Sequence, residues 1–166
     1  MDPLVRINDA VYSWNSVVFR IGSLRTVAPV SIDFDDKITQ ALVYSARRDG
    51  RPVGMTAGKY EPGQSVIKFL LEGWTGGTTR FPLGVEPFVL HDGLGSSGRT
   101  LVPIFVQWFE EATGQSTSVV LGSARLIGRK IGAAEGVEGQ VLEATFQPSN
   151  VSINGISLAS AARIFP

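Results

Sequence analysis

The residue types best suited to catalysis lie together between positions 91 and 98. His91 is the only histidine of the chain, Asp92 follows it, and Ser96 and Ser97 come shortly after. A serine triad needs a nucleophile, a base and an orienting carboxylate that converge in space, and adjacency in sequence does not provide this. The GSSG run at 95–98 also lacks the G-x-S-x-G spacing of a nucleophile elbow. We therefore predict no catalytic residue here and expect His91 to be an ordinary loop residue.

The same stretch matches the G-x-G-x-x-G spacing of dinucleotide-binding proteins, from Gly93 to Gly98. In that motif the third glycine opens a helix whose N-terminus holds the pyrophosphate. The residues that follow here, RTLVPIFV, have the composition of a strand. No lysine follows a glycine loop in the way a P-loop requires. The sequence therefore predicts no nucleotide and no other cofactor.

Acidic residues cluster at Asp33, Asp35 and Asp36, and again at Glu110 and Glu111. Calcium loops need more oxygen ligands than the first cluster has, spaced on a turn that contains a glycine. Adjacent strand residues point to opposite faces, so the two glutamates cannot act together. The chain has no cysteine, which excludes disulfides and thiolate zinc sites. We predict no metal site and no enzyme.

The composition favours a protein that buries surface against other chains. Lys plus Arg and Asp plus Glu number 15 each, so the net charge is zero, and nucleic-acid binding as the main role is disfavoured. Charged residues make up 18% of the chain, against about 25% in an average soluble domain. A surface this poor in charge predicts self-association. We expect neither a membrane span nor a secretory signal, because the apolar runs are too short.

Strand signals dominate, and the 166 residues predict one mainly β domain of two packed antiparallel sheets, a sandwich or partly open barrel with at most one short helix. In Gln140–Phe146, the alternation points Leu142, Ala144 and Phe146 inward. Gly122 and Gly128 predict bends or bulges, and Asn154-Gly155 predicts a hairpin turn. No regular helix is expected over Trp74–Gly84. The predicted strands are Val17–Ile21, Val30–Asp35, Thr39–Ala46, Ser65–Glu72, Val85–His91, Leu101–Glu111, Ser116–Ile131, Gln140–Phe146 and Val151–Leu158.

A long segment at about 47–63 separates two of these strands. It is rich in Gly, Pro and charge, and it is too long for a hairpin turn. Loops of this length are uncommon in compact domains and usually have a function. Two interpretations are open: a surface excursion, or an arm that docks onto a neighbouring copy. The residues we assign to inter-subunit or ring-stacking contacts are Arg47, Arg48, Asp49, Gly50, Arg51, Gly54, Thr56, Gly58, Lys59 and Tyr60.

Three stretches follow one another along the chain in a characteristic order. Asp36–Lys59 with Tyr60 contains the run G-x-T-x-G-x-Y, Val119–Ile131 contains a small residue, an arginine and an aliphatic residue (Ala124, Arg125, Leu126), and Gly136–Asn154 leads to a final Asn-Gly turn. In this order they resemble the tail tube protein family of tailed bacteriophages, which is related to the tubes of contractile injection systems and type VI secretion. The first stretch is similar to the segment leading into the family's long loop, and the third looks like its C-terminal hairpin.

The resemblance implies a structural virion protein, the major tail tube subunit. Such subunits form hexameric rings whose strands join into one barrel, and the rings stack around a lumen that conducts DNA without binding it specifically. It also implies sheath, tape measure and baseplate proteins as partners, and a place in the virion tail after assembly in the host cytoplasm. A lumen that conducts DNA should carry few cations. On this ground the candidate lumen-facing residues are Asp33, Asp35, Glu143, Thr145 and Gln147.

Three alternatives remain open at this point. One is a baseplate tube-initiator or tail-terminator ring of the same particle, which shares the fold but stops after one or two rings. Another is a monomeric ligand-binding β-barrel with an apolar pocket. The third is a hydrolase that uses His91, although no set of nucleophile, base and orienting group is visible.

Overall fold

The computed structural model describes residues 4–13, 16–24, 29–44, 52–55, 58–79, 82–90, 101–110, 113–132 and 140–161. These residues form fourteen strands and three short helices. The strands are β1 (Leu4–Ile7), β2 (Ala10–Ser13), β3 (Val17–Ile21), β4 (Pro29–Asp33), β5 (Asp36–Thr39), β6 (Leu42–Tyr44), β7 (Pro52–Met55), β8 (Lys59–Pro62), β9 (Ser65–Leu70), β10 (Val102–Glu110), β11 (Gln115–Gly132), β12 (Val141–Gln147), β13 (Asn150–Ile153) and β14 (Ile156–Ser157). The helices are α1 (Leu71–Thr75), α2 (Val85–Leu90) and α3 (Leu158–Ala161).

Strand β11 belongs to two sheets. Its proximal half, residues 115–124, lies in the second sheet between β10 and β13, with β3 beyond β10 and β14 beyond β13. Its distal half, residues 125–132, begins the first sheet, which continues in the order β12, β9, β4, β1 and β2. The β1–β4 ladder is parallel, and the other ladders of both sheets are antiparallel.

The core lies between the facing sides of the two sheets. Leu142, Ala144 and Phe146 alternate into it as predicted, each at most 1% exposed. Phe19 of the second sheet meets Phe69 of the first edge-to-face, with 6.0 Å between the ring centroids. Alternating strands that bury one face against another sheet form a mainly β fold, so that prediction is confirmed.

The helical content is larger than expected, since we predicted at most one short helix. The predicted strand Val85–His91 is wrong, because Val85–Leu90 is helix α2. Val85 and Val89 are both buried, and their spacing places them on one helical face. Pro87 lies in the first turn, where a missing N–H costs little. The predicted strand Ser65–Glu72 ends at Leu70, and α1 follows as far as Thr75.

The segment at 47–63 also differs from the predicted loop in its described part. Strands β7 and β8 pair antiparallel with β6 and β5, so residues 36–44 and 52–62 form a two-stranded arm, described except for 56–57. The predicted strand Thr39–Ala46 is divided between β5 and β6. The arm connects β4 to β9, which pair with each other in the first sheet, so its root lies at the ends of these two neighbouring strands.

Candidate assembly surfaces

The distal half of β11 presents an open strand edge. Residues 119–121 have strand partners on both sides, in β10 and β13. Within the residues that the structure describes, 125–132 pair with β12 alone. The ladder shifts register between Leu126 and Gly128, which leaves Ile127 as an extra residue, 49% exposed. Ile131 is 59% exposed. Unpaired backbone groups beside exposed apolar side chains recruit another strand.

The opposite end of the first sheet is open in the same way. In the described part of the chain, β2 pairs with β1 and with no other strand. Val11 of β2 is 51% exposed. Tyr12, its neighbour, instead packs on Trp108 at 5.9 Å between ring centroids. A sheet with two different open edges is able to add further copies head to tail.

The root of the arm is anchored to the second sheet by Tyr60. The Tyr60 hydroxyl accepts a hydrogen bond from the Val151 N–H at 2.9 Å and donates one to Asp36 Oδ2 at 3.2 Å. Burial, and to a lesser degree the nearby Asp36 carboxylate, raises the pKa of Tyr60. Gln147 Nε2 donates to the Pro62 carbonyl at 3.1 Å. Gly63 leaves no room for a side chain, since a Cβ there would overlap Asp35. These contacts fix the direction in which the arm leaves the body.

Farther along the arm, apolar side chains are exposed. Leu42, Val43 and Tyr44 of β6 are each more than 45% exposed, and Gly54 lies opposite Val43. Gly58 has φ +88°, and a Cβ there would meet Ile38, so the glycine is required. Leu42 and Tyr44 point to one face of β6 and Val43 points to the other. Exposed apolar residues on a projecting hairpin form a surface suited to contact with another chain.

The predicted arm residues fall into two groups. Gly54, Gly58, Lys59 and Tyr60 lie in the described arm, where Lys59 Nζ pairs with Glu61 Oε1 at 3.8 Å within the chain. That pair is exposed and contributes little to stability. The others lie outside the described residues: Arg47, Arg48, Asp49, Gly50, Arg51 and Thr56.

Four of the five predicted lumen residues lie on the outer face of the first sheet. Asp33 of β4 lies opposite Val66 of β9, and Val66 lies opposite Thr145 of β12, so the three residues form one row across the strands. Glu143 belongs to the next row, and Gln147 to the end of β12. Asp35 lies beyond the end of β4, at the arm root, and is not part of these rows.

The sequence reasoning missed the cations of this face. Glu143 lies between Lys68 of β9 and Lys130 of β11, with Lys68 Nζ at 4.0 Å from Glu143 Oε2. Arg6 extends the same row through Ser31. The cross-strand register that assembles this row cannot be read from any single strand. The face is therefore mixed in charge, not acidic.

No catalytic or metal site emerges from the residues that the structure describes. Among them, no group of three or more His, Asp or Glu side chains is placed to hold a metal ion. His91, Asp92, Ser96 and Ser97 lie outside the described residues. No helix in the described part of the chain is long and apolar enough to cross a membrane.

Comparison with known proteins shows a shared fold. No model of a known protein family matches the sequence, and no curated protein matches it. Among solved structures, Hcp1 from Flavobacterium johnsoniae is 12% identical, with a TM-score of 0.50, over 86% of this chain and 97% of that chain. The cap that terminates the tube of the anti-feeding prophage is 13% identical, with a TM-score of 0.50, over 84% and 87%.

A third similar structure is the sheath/tube terminator of an extracellular contractile injection system. It is 12% identical, with a TM-score of 0.53, over 84% of this chain and 93% of that chain. Two of these three structures terminate a tube, that of the anti-feeding prophage and that of an extracellular contractile injection system. At these low identities the structural similarity establishes a shared fold. This fold agrees with the resemblance of the sequence to tail tube proteins.

Proposed function

We propose that the protein is the major tube subunit of a tail-like particle and that it assembles into stacked hexameric rings. The observation that carries this proposal is the pair of open edges at the two ends of the first sheet, on a fold shared with a tube-terminating cap and a sheath/tube terminator. An open edge exposes unpaired N–H and C=O groups, and pairing it with a neighbour removes that liability. When the rotation between neighbours closes, a ring has no free edge left.

The geometry of a ring also predicts the direction of the pairing. Along the sheet from β11 to β2, the ladders are antiparallel except for β1–β4, so β2 runs parallel to β11. Rotation about a ring axis keeps every strand's direction relative to that axis. The edge of β2 in one copy therefore pairs in parallel with the distal half of β11 in the next.

The arm is the second assembly element in this proposal. Its root is held by Tyr60, while Leu42, Val43 and Tyr44 remain exposed along β6. An anchored hairpin with Leu42 and Tyr44 exposed on one face is suited to bury that face against the adjacent subunit or the next ring. Of the predicted contact residues, Gly54, Gly58, Lys59 and Tyr60 belong to the described part of this arm.

In the proposed tube, the outer face of the first sheet lines the lumen. Asp33, Glu143, Thr145 and Gln147 lie on it, beside Lys68 and Lys130. In this row Glu143 offsets only part of the positive charge of Lys68, Lys130 and Arg6, which departs from the small number of cations expected of a lumen that conducts DNA. Sheath, tape measure and baseplate proteins would contact the other surfaces. The tube would lie in the virion tail after assembly in the host cytoplasm.

Electron microscopy of the purified protein tests this function. We expect rings and stacks of rings at high concentration, and sedimentation at low micromolar concentration should show an oligomer. A monomer at every concentration would overturn the proposal. Thr145→Cys, in a chain without other cysteines, should react in tubes with a small maleimide but not with a bulky polymer maleimide. Equal reaction with both reagents in intact tubes would place Thr145 outside the lumen.

The arm has its own test within the same experiment. Leu42→Ser with Tyr44→Ser should leave the subunit folded and stop stacking, since both side chains are exposed in the isolated chain. A control, Leu83→Ser with Ile156→Ser, removes two apolar side chains elsewhere that are even more exposed. Tubes of normal length from the arm variant would refute the role of the arm.

A terminator ring is the second candidate, and one observation favours it. Of the three structures compared above, the sheath/tube terminator gives the highest TM-score, 0.53. A terminator forms a ring that does not stack further on one side. Images that show isolated rings at all concentrations would select this candidate, and long tubes would select the tube subunit.

A further inference from the structure

The outer face of the first sheet carries cations that have no acidic partner. Among the lysines and arginines that the structure describes, those without an ion pair are Arg6, Arg20, Arg125 and Lys130. Arg20 belongs to the second sheet and lies over the ring of Phe105. The other three belong to β1 and β11 and lie on the outer face of the first sheet. This face therefore holds positive charge that nothing in the described chain neutralises.

Three cations of this face lie in one row across the strands. Arg6 of β1 is opposite Ser31, and Ser31 is opposite Lys68 of β9. Glu143 lies between Lys68 and Lys130, with Lys68 Nζ at 4.0 Å from Glu143 Oε2. Three cations against one carboxylate leave two positive charges in excess. We call Arg6, Lys68 and Lys130 the cation row.

A row of apolar side chains runs beside the cation row. Leu4 precedes Arg6 by two residues, and Leu70 follows Lys68 by two residues. Because β1 and β9 run in opposite directions, both leucines lie on the same side of the cation row, about 7 Å from it. Val141 is opposite Leu70. Leu4 is 59% exposed, and the other two are half-buried, so the outer face offers apolar surface next to its charge.

A depression opens at the end of this apolar row. Its volume is about 410 Å³, within the range for ligand sites, about 300–1,000 Å³. Leu70 belongs both to the apolar row and to the lining of the depression, which also includes Leu71, Glu72 and Gln140. The depression therefore gives a bound partner a place for one apolar side chain.

We propose that the outer face of the first sheet binds an acidic amphipathic helix of another protein. Its carboxylates lie on the cation row, and its apolar side chains lie on the row formed by Leu4, Leu70 and Val141. The inference goes beyond the proposed tube, because it names a protein ligand for the face that the tube turns to its lumen. The contact itself requires one subunit only.

The spacing of the cation row favours a helix over an extended chain. Lys68 is two strands away from Arg6 on one side and from Lys130 on the other, so successive cations are about 10 Å apart. Helix residues seven positions apart lie on one face at a distance of about 10.5 Å. In an extended chain, residues on one face are about 7 or 13 Å apart. A helix with an acidic residue at every seventh position therefore matches all three cations.

Duplex DNA matches the same face less well. DNA carries one negative charge per about 1.7 Å of its axis, so its phosphates would also meet Glu143 in the middle of the row. Phosphates and sugars offer no apolar group to Leu4, Leu70 and Val141. An acidic amphipathic helix satisfies both rows, so the observations favour a polypeptide.

Fluorescence anisotropy with a labelled synthetic helix tests the contact. The probe is a peptide of about 20 residues with glutamate at every seventh position and leucine four positions after each glutamate, the spacing that places both on neighbouring stripes. A control peptide carries glutamine in place of each glutamate. We expect the acidic helix to bind the parent protein at low salt and the control peptide to bind at least about tenfold more weakly.

Matched variants locate the binding site. Arg6→Gln with Lys130→Gln removes the two unpaired cations of the row and should weaken binding about two- to thirtyfold, the effect of two exposed ion pairs. The control, Arg20→Gln with Lys37→Gln, removes the same charge elsewhere and should change binding less than about twofold. All four side chains are exposed, so the subunit should remain folded.

Leu4→Gln tests the apolar row without any change of charge. Leu4 is exposed in the subunit, and covering it with the helix contributes through the hydrophobic effect, so its loss should weaken binding about three- to tenfold. Binding equal to that of the parent would overturn the role of the apolar row.

The outcomes separate this inference from the proposed function. Equal binding of the acidic and glutamine peptides, an equal loss in the test and control variants, or tighter binding of a duplex DNA of about 20 base pairs would each overturn the helix site. Those results leave the tube proposal standing, because electron microscopy tests it independently. A parent chain that is monomeric at all concentrations but binds the acidic helix at the cation row would overturn the tube and support the site.

Discussion

The two halves of β11 differ in how their hydrogen bonds are satisfied. The proximal half lies between β10 and β13, and Val119, Leu121 and Ala124 are fully buried there. The distal half has β12 on one side, and Ile127 and Ile131 are exposed in the described structure. One continuous strand thus contributes to the interior through Val119, Leu121 and Ala124 and belongs to the surface at its end.

This difference teaches which part of the strand stabilises the subunit and which part is free to join subunits. A strand paired on both sides and buried on one face contributes to folding, because its polar backbone groups are already satisfied. A strand paired on one side retains donors and acceptors for a partner. Substitutions in the proximal half should therefore change subunit stability, and substitutions in the distal half should change assembly.

The largest effect should follow from shortening a buried side chain in the proximal half. Leu121 is completely buried, and Leu121→Ala should lower the free energy of unfolding by about 2–5 kcal/mol through lost burial and the cavity left behind. The matched distal change, Ile131→Ala, removes an exposed side chain and should alter subunit stability by less than about 0.5 kcal/mol. Urea unfolding of dissociated subunits measures both.

Ile131→Ala should have little effect on subunit stability but a clear effect on assembly. Ile131→Ala should raise the concentration needed for rings although the subunit remains stable. If Ile131→Ala destabilises the isolated subunit as much as Leu121→Ala does, the distal half is part of the folding core and the comparison between the halves fails.

A smaller effect is expected at the corner between the halves. Ser123 has φ +45°, in the left-handed region, where the β10 ladder shifts register between Leu121 and Ala124. This bend moves β11 from one sheet to the other. A β-branched residue is poorly tolerated at positive φ, so Ser123→Val should cost about 1–2 kcal/mol. Thermal unfolding of the subunit is the measurement.

Ser123→Gly is the control for that prediction. Glycine adopts positive φ without a steric penalty, so this variant should be at least as stable as the parent. A loss of stability equal to that of Ser123→Val would mean that the Ser123 side chain, not the backbone bend, is what matters at this position.

The sequence predicted the elements whose pattern is local. Leu142, Ala144 and Phe146 alternate because β12 is buried on one face only, and that periodicity is visible in the sequence itself. Gly122 and Gly128 correctly indicated the two register shifts. Asn154 and Gly155 both have positive φ, as a two-residue hairpin turn requires.

What the sequence could not predict depends on contacts between distant segments. The composition of the run VEPFVL is compatible with a strand and with a short helix. Only the burial of Val85 and Val89 in the core selects the helix. The open edge of β11 arises because β10 begins opposite Ala124 and does not continue along the distal half in the described residues. The cations beside Glu143 were missed because they come from other strands.

The smallest effect concerns the arm root, which is tied to the doubly paired half through Val151, the partner of Leu121. Tyr60→Phe leaves the Val151 N–H without its acceptor and should cost about 1 kcal/mol at neutral pH. Burial raises the pKa of Tyr60 above its usual value of 10.0. The stabilisation by Tyr60 is therefore complete below pH 10 and is lost as the pH rises through the folded-state pKa.

Urea midpoints of the parent and Tyr60→Phe between pH 8 and pH 11 measure this loss. The difference between the two proteins should shrink above pH 10, because ionised Tyr60 is disfavoured beside Asp36 in the folded arm. The other tyrosines titrate in both proteins, so their contributions cancel in the difference between the two midpoints. A difference that stays constant over this range would show that the Tyr60 hydroxyl is not held in the arm root, and the arm would then lose the anchor that links it to the proximal half of β11.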